Sequence, residues 1–296
     1  MRPPENRGPG LQERAARDTK LRIALVQQRS GPDVEENIER GARSFAKAAR
    51  AGARLIAFAE LAFSRFYPQV PAGRGSRAKA EPVPGPITDR FRSLAKEYGV
   101  VAVLNLFERK GGRTYDSSPV IDADGRLLGV TRMMHIMEGP GFHERGYYHP
   151  GGAGKLVYQT AAGRVGVAIC YDRHFPEYTR GLGLLGAEIV IIPQAGAVGE
   201  WTEGIFEAEV QVAAFQNGYF AALINRVGRE DALRFAGESF VADPDGRVIA
   251  RAPQGRDAIL FADCDFDRIP GSAAKRHFLR DRRPGAYGRF GLTDGE

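Results

Sequence analysis

Cysteine is scarce in this chain: Cys170 and Cys264 are its only two in 296 residues. They lie far apart and in no metal-ligand spacing, which excludes a disulfide framework and points to a reducing, cytoplasmic compartment. Long hydrophobic runs are missing as well. No stretch approaches the roughly 20 apolar residues of a membrane span, so no membrane partner is expected. Residues 1–20 are rich in Arg, Glu, Gly and Pro with no apolar segment, and read as a disordered extension, not a signal peptide. Basic charge is not concentrated either. The net charge is +6, but most of the 42 Lys and Arg residues stand beside acidic ones. The densest basic cluster, Lys275, Arg276, Arg280, Arg282, Arg283 and Arg289, accompanies no nucleic-acid module. It reads as a solvated tail or a subunit contact, and no nucleic-acid partner is expected.

What is present is an ordinary globular composition, 43% apolar and 26% charged, enough to bury a core without staples. Apolar runs and amphipathic stretches alternate. Strands are expected at 21–28, 53–59, 100–107 and 165–169, and helices at 34–51, with Asp33 as N-cap, and 86–97. Hairpins are expected at 115–131 and 237–252, turning at Asp124-Gly125 and Asp245-Gly246. Helices follow at 176–186 and 204–217, alternating with strands at 188–193, 219–225 and 258–263. The segment from Met134 to Gly154 reads as a long loop of the functional kind. Strands alternating with helices, with hairpins between, suggest a mixed sheet layered with helices. No linker divides residues 21–296, which are expected to form one domain ending in an interface tail.

Two polar residues close apolar strands, Glu60 and Cys170, at the sheet edge where ligands bind in α/β folds. Cys170 is followed by polar residues and by Pro176-Glu177, which suit a helix start. Free N–H groups and the helix dipole there would favour the thiolate, the nucleophilic form. A carboxylate such as Glu60 can act as general base for a thiol and later for water. Taken alone, Cys170 reads more readily as a small core residue, and Glu60 equally as a cap or ion-pair partner.

The motifs become specific in combination. Ile56-Ala57-Phe58-Ala59-Glu60-Leu61-Ala62, the segment Pro140 to Gly151 that carries Glu144, and Val167 to Glu177 around Cys170 resemble the nitrilase, or carbon–nitrogen hydrolase, superfamily. So do Ile224-Asn225-Arg226-Val227-Gly228, the tract Gly237 to Gly246, and Leu279 to Tyr287. The resemblance implies a four-layer αββα sandwich, usually assembled into dimers or larger homo-oligomers. It implies that Cys170 attacks an amide, carbamoyl or nitrile carbon and forms an acyl-enzyme. Glu60 would be the general base and Glu144 a second carboxylate that orients the site. It implies no metal and no organic cofactor. Arg173 matches a position that lies near a substrate carboxylate in N-carbamoyl amino acid hydrolases, which makes Arg173, His143 and His174 the substrate-binding candidates and small carboxylate-bearing N-carbamoyl or amide compounds the first substrate class. A salt bridge to Asp172 or Glu177 is the plain alternative for Arg173.

One departure stands out. Where the family has Tyr-Arg-Lys-X-His, this chain has Thr131-Arg132-Met133-Met134-His135, so Met133 occupies the position of the triad lysine. Methionine carries neither charge nor donor, and loss of one oxyanion donor typically costs about 10²–10³ in turnover. Three readings follow: a substitute cation among Arg132, His135, His143 and Arg173; a substitution introduced to silence the enzyme; or a ligand-binding protein that does not turn over. Strand alternation should point Arg132 away from the face of Met133. His135, His143 and His149 match no zinc spacing, and Cys264, flanked by Asp263 and Asp265, is a poor nucleophile.

Overall fold

The computed structural model describes residues 19–152 and 154–290. The first βα pair is β1 (Lys20–Gln27) and α1 (Val34–Arg50), whose first turn is capped as expected: Glu36 N–H donates to the Asp33 carboxylate at 3.1 Å. There follow β2 (Leu55–Phe58), α2 (Pro86–Tyr98), β3 (Val101–Val103), β4 (Leu106–Lys110), β5 (Arg113–Ile121) and β6 (Leu127–Arg132). The expected loop 134–154 holds a two-residue ribbon, β7 (Glu138–Gly139) with β8 (Phe142–His143), and a 3₁₀ turn at Glu144–Gly146. The second half runs β9 (Val157–Thr160), β10 (Gly163–Val167), α3 (Pro176–Leu184), β11 (Ile189–Gln194), α4 (Ile205–Asn217), β12 (Phe220–Asn225), β13 (Val227–Arg229), β14 (Arg234–Ala236), β15 (Phe240–Ala242), β16 (Val248–Arg251) and β17 (Ala258–Asp265).

These strands make two mixed sheets. One has the order β17-β1-β2-β3-β5-β4 with β6 also on β5; the other has the order β16-β15-β12-β11-β10-β9. In each, three neighbouring strands are parallel and the flanking pairs antiparallel. Three apolar clusters give the layers. Ile23, Leu25, Val103, Val165, Ile191 and Ile224 pack between the sheets. Ile38, Phe45, Phe91 and Leu94 bury α1 and α2 on the first sheet, and Leu182, Val210 and Ala214 bury α3 and α4 on the second. That is the αββα order. Strands buried on both faces read as continuous apolar runs, which is why β2 and β11 show no alternation.

Three boundaries differ from expectation. The strand foreseen at 100–107 breaks into β3 and β4 at Leu104-Asn105, because the Asn105 side chain accepts from Leu61 N–H at 2.8 Å and donates to Asp116 Oδ1 at 2.6 Å. The foreseen extension ends earlier than residue 20, since Lys20 pairs with Asp265 in the β1–β17 ladder; its remainder, residues 1–18, lies outside the described residues. The strand before Cys170 ends at Val167. Among the described residues, no helix is long and apolar enough to cross a membrane.

Candidate active site

Glu60 follows β2, Cys170 follows β10, and Glu144 sits on the 3₁₀ turn after β8, so three separate segments deliver the three groups. A ligand atom from each, two carboxylate oxygens and the Cys170 Sγ, lies within 4.8 Å of the others. All three residues are buried. Two of the turns are left-handed: Cys170 has φ 44° and Leu61, next to Glu60, has φ 45°. Such backbone costs of order 1–3 kcal/mol per residue and persists only where the surroundings hold it. Here the Asn105 bond holds Leu61, and the Arg173 guanidinium donates from Nη1 to the Cys170 carbonyl at 3.0 Å.

Met133 is fully buried in the apolar cluster that also contains Cys170. Its N–H donates to Asp116 O at 2.9 Å, and Gly151 N–H donates to its carbonyl at 2.7 Å. The chain crosses so close there that a Cβ on Gly151 would lie 2.4 Å from Arg132 O. None of the three nearby cations Arg132, His135 and His143 is left over to replace a lysine. Arg132 turns away, as alternation requires, and forks onto Glu108 at 2.5 and 2.6 Å. His135 is held by Asp172 at 2.8 Å and stacks on Phe175; His143 is held by Glu138 at 3.1 Å. Arg173 alone of the four acts on the thiol, favouring its charged form.

The electrostatics correct one expectation. The Cys170 thiol is pushed well above its ordinary range, by burial first and then by Glu60 and Glu144. The helix whose dipole was to favour thiolate starts at Pro176, six residues on, after a 3₁₀ turn at Cys170–His174. Burial also raises Glu60 to about 8, with Glu144 adding to it, and raises Glu144, with Asp116 adding to it. Glu144 Oε1 is buried without a hydrogen-bond partner, while Glu144 Oε2 accepts from Met137 N–H at 3.1 Å; the Glu60 carboxyl lies within reach of Asp116 and the Cys170 thiol.

Sequence reasoning missed three members of this centre. Asp116, in β5, stands beside Glu60. Its signal was an acid in the middle of a hairpin strand, masked by the polar Thr114, Ser117 and Ser118 around it. Tyr148 is buried with its hydroxyl unpartnered, and feels the charges of Asp116, Glu60, Glu144 and Cys170. Arg226, just beyond β12, donates to Glu60 O at 2.7 Å, to Leu61 O and to Ser64 O, and pairs with Glu230. It lay inside a quoted motif without a role.

Arg173 and His174 are placed differently from a free carboxylate clamp. The Arg173 side chain is buried, bonded to Gln194 Oε1 at 2.6 Å and stacked over Phe206, with Glu209 3.5 Å away. His174 pairs with the same Glu209 at 2.7 Å and meets the Trp201 ring. Trp201 and Phe206 in turn line a cavity of about 490 Å³, together with Glu203, Glu207, Asn225, Glu238 and Arg251.

The carbon-nitrogen hydrolase family model matches residues 22–273. The chain belongs to that family. It is 34% identical to an N-carbamoylputrescine amidase of Solanum lycopersicum, over 95% of this chain and 98% of the relative. A citrullinase of Francisella tularensis is 32% identical over 90% of the chain and 96% of its own length. A crystal structure of a carbon–nitrogen hydrolase from Helicobacter pylori superposes with a TM-score of 0.85 at 28% identity, covering 92% of this chain and 98% of that one. The fold and family expected from the motifs therefore stand.

Proposed function

We propose that the chain hydrolyses the carbon–nitrogen bond of a small N-carbamoyl or amide compound through a thioester on Cys170. The convergence of Cys170 Sγ with the Glu60 and Glu144 carboxylates within 4.8 Å carries this reading. Glu60 takes the thiol proton as sulfur attacks the carbonyl carbon, and returns it to the departing nitrogen, which leaves as ammonia or amine. Glu60 then deprotonates the water that opens the thioester and restores the thiol. A base raised to about 8 suits both proton transfers near neutral pH. Glu144, anchored on Met137 N–H, orients the site. With Met133 unable to donate, the free hydroxyl of Tyr148 is the neutral donor offered to the oxyanion.

We assign the substrate tail to the 490 Å³ cavity, which borders the site through Trp201 on His174 and Phe206 on Arg173, and whose lining holds Glu203 and Glu238 besides the ion pair of Glu207 with Arg251. That lining favours a cationic or neutral tail over the carboxylate first expected, and the internal contacts of Arg173 and His174 make them positioning residues behind it. His143, next to Glu144 in sequence and paired with Glu138, is the substrate-binding candidate on the loop. The N-carbamoylputrescine amidase and citrullinase relatives support an N-carbamoyl head. Residues 21–296 as one hydrolase domain, a homo-oligomer and a cytoplasmic location complete the proposal. Supporting these are the shared inter-sheet core, the exposed Val212, Phe215 and Phe278, and two buried free cysteines.

A second reading, binding without turnover, draws on the raised thiol and the fully buried Met133. Ammonia release from N-carbamoylputrescine and N-carbamoyl-β-alanine, with intact-mass detection of the thioester, separates them. Turnover of the cationic compound that Cys170→Ala abolishes supports hydrolysis. Unmodified Cys170 with every compound, including an electrophilic amide probe, would overturn it.

A further inference from the structure

In a family with a triad lysine, an ammonium compensates the site carboxylates; here Met133 cannot. Glu60, Glu144 and Asp116 are fully buried, Glu144 Oε1 has no hydrogen-bond partner, and among the described residues no Arg or Lys side chain bonds to any of the three carboxyl groups. The cation that Glu60 feels, Arg226, spends its hydrogen bonds on the carbonyls of Glu60, Leu61 and Ser64 and on Glu230. Uncompensated buried carboxylates are costly, and a bound cation is one way that cost is removed.

The donor set is also specific. One thiolate and two carboxylates make an S,O,O group, and a thiolate selects zinc over the hard cations that prefer oxygen alone. Tetrahedral zinc would space these atoms about 3.4–3.6 Å apart. The present limit of 4.8 Å is reached from there by side-chain rotation of about an ångström. Glu144 Oε2 is already fixed by Met137 N–H, which leaves Oε1 to face the ion. Asp116, held by Asn105 at 2.6 Å and adjacent to Glu60, lends a further negative charge behind the first ligand.

We propose that the site binds one Zn²⁺ per chain through Cys170 Sγ, Glu60 and Glu144, with water in the fourth position, as a reversible inhibitor and not as a catalytic cofactor. Binding forms the S–Zn bond as the S–H bond breaks, and the thiol proton, with any carboxyl proton displaced, passes to solvent. The thiolate so tied cannot attack a carbonyl, and chelation frees it. A lysine at 133 would place an ammonium against the same carboxylates and compete with the ion.

The test is titration of the chelator-treated full chain with ZnCl₂ by calorimetry and with CoCl₂ by absorption. One equivalent, proton release that scales with buffer ionisation enthalpy, and a thiolate-to-cobalt charge-transfer band are expected. Cys170→Ala should remove the band and weaken zinc binding at least ten-fold. Glu144→Gln, close in shape to the parent, should weaken it similarly, and Met133→Lys about a hundred-fold; circular dichroism checks that each variant is folded. Binding of undiminished strength in folded Cys170→Ala and Met133→Lys, or cobalt bound with no thiolate band, overturns the proposal. These readouts need no turnover, so a chain without hydrolase activity leaves them valid, and failure to bind zinc leaves the hydrolase reading standing.

Discussion

The Arg173 guanidinium donates to the carbonyl of Cys170 at 3.0 Å, so this buried cation grips the backbone of the cysteine and not its sulfur. It sits behind the nucleophile, bonded to Gln194 and packed on Phe206. From there it can lower the thiol's proton affinity and hold the left-handed turn.

Removing that charge should therefore change reactivity as well as stability. In Arg173→Ala, alkylation of Cys170 by iodoacetamide should shift its pH midpoint upward, with Arg173→Lys restoring part of the shift. Thermal unfolding should also fall, since two buried acceptors lose a donor at about 1–3 kcal/mol each. An unmoved midpoint with lowered stability would leave Arg173 a purely structural role.

Met133→Lys should raise kcat on an N-carbamoyl substrate by about 10²–10³, the usual worth of one oxyanion donor. The ammonium should also ease ionisation of Glu60, moving the rising limb of the pH–rate profile to lower pH from about 8. A pH-rate series on both proteins checks it; no gain in kcat would mean that the site has been rebuilt around methionine.

Tyr148→Phe removes a hydroxyl that has no hydrogen-bond partner, so stability should change little. If that hydroxyl serves the oxyanion, kcat should drop about 10²-fold with KM nearly unchanged. Equal kcat in the two proteins refutes the assignment.

Burial of Glu60 makes stability pH-dependent in a defined direction. Its carboxyl sits near 8 in the folded chain against an ordinary 4.5. The folded state thus holds a proton that the unfolded state has lost, and stability is greatest below the ordinary value and declines as pH rises towards 8. Glu60→Gln should flatten that decline, read as melting temperature across the window. A parent protein whose melting temperature rises through it would contradict the buried neutral carboxyl.

The elements that sequence patterning located best are those with one apolar face or two: α1 with its Asp33 cap, and the buried runs of β2, β11 and β12. Glu60, Glu144 and Cys170 were legible because their flanking motifs came in order, and Met133 because it broke one of them. Asp116 and Tyr148 were not, since each is a single polar atom group whose meaning arises only when β5 and the loop after β8 meet the ends of β2 and β10. The surroundings of Arg173 were hidden for a related reason: a sequence shows that Arg173 has a charge, but not that Gln194, Phe206 and Glu209 surround it.

Arg226 reaches from the second sheet to the carbonyls of Glu60, Leu61 and Ser64, across a separation of 166 positions from Glu60. The Glu60 backbone is therefore held from the half of the molecule that carries Cys170. The bend at Glu60 and Leu61 is thus held in part by a side chain that the first half of the chain does not contain.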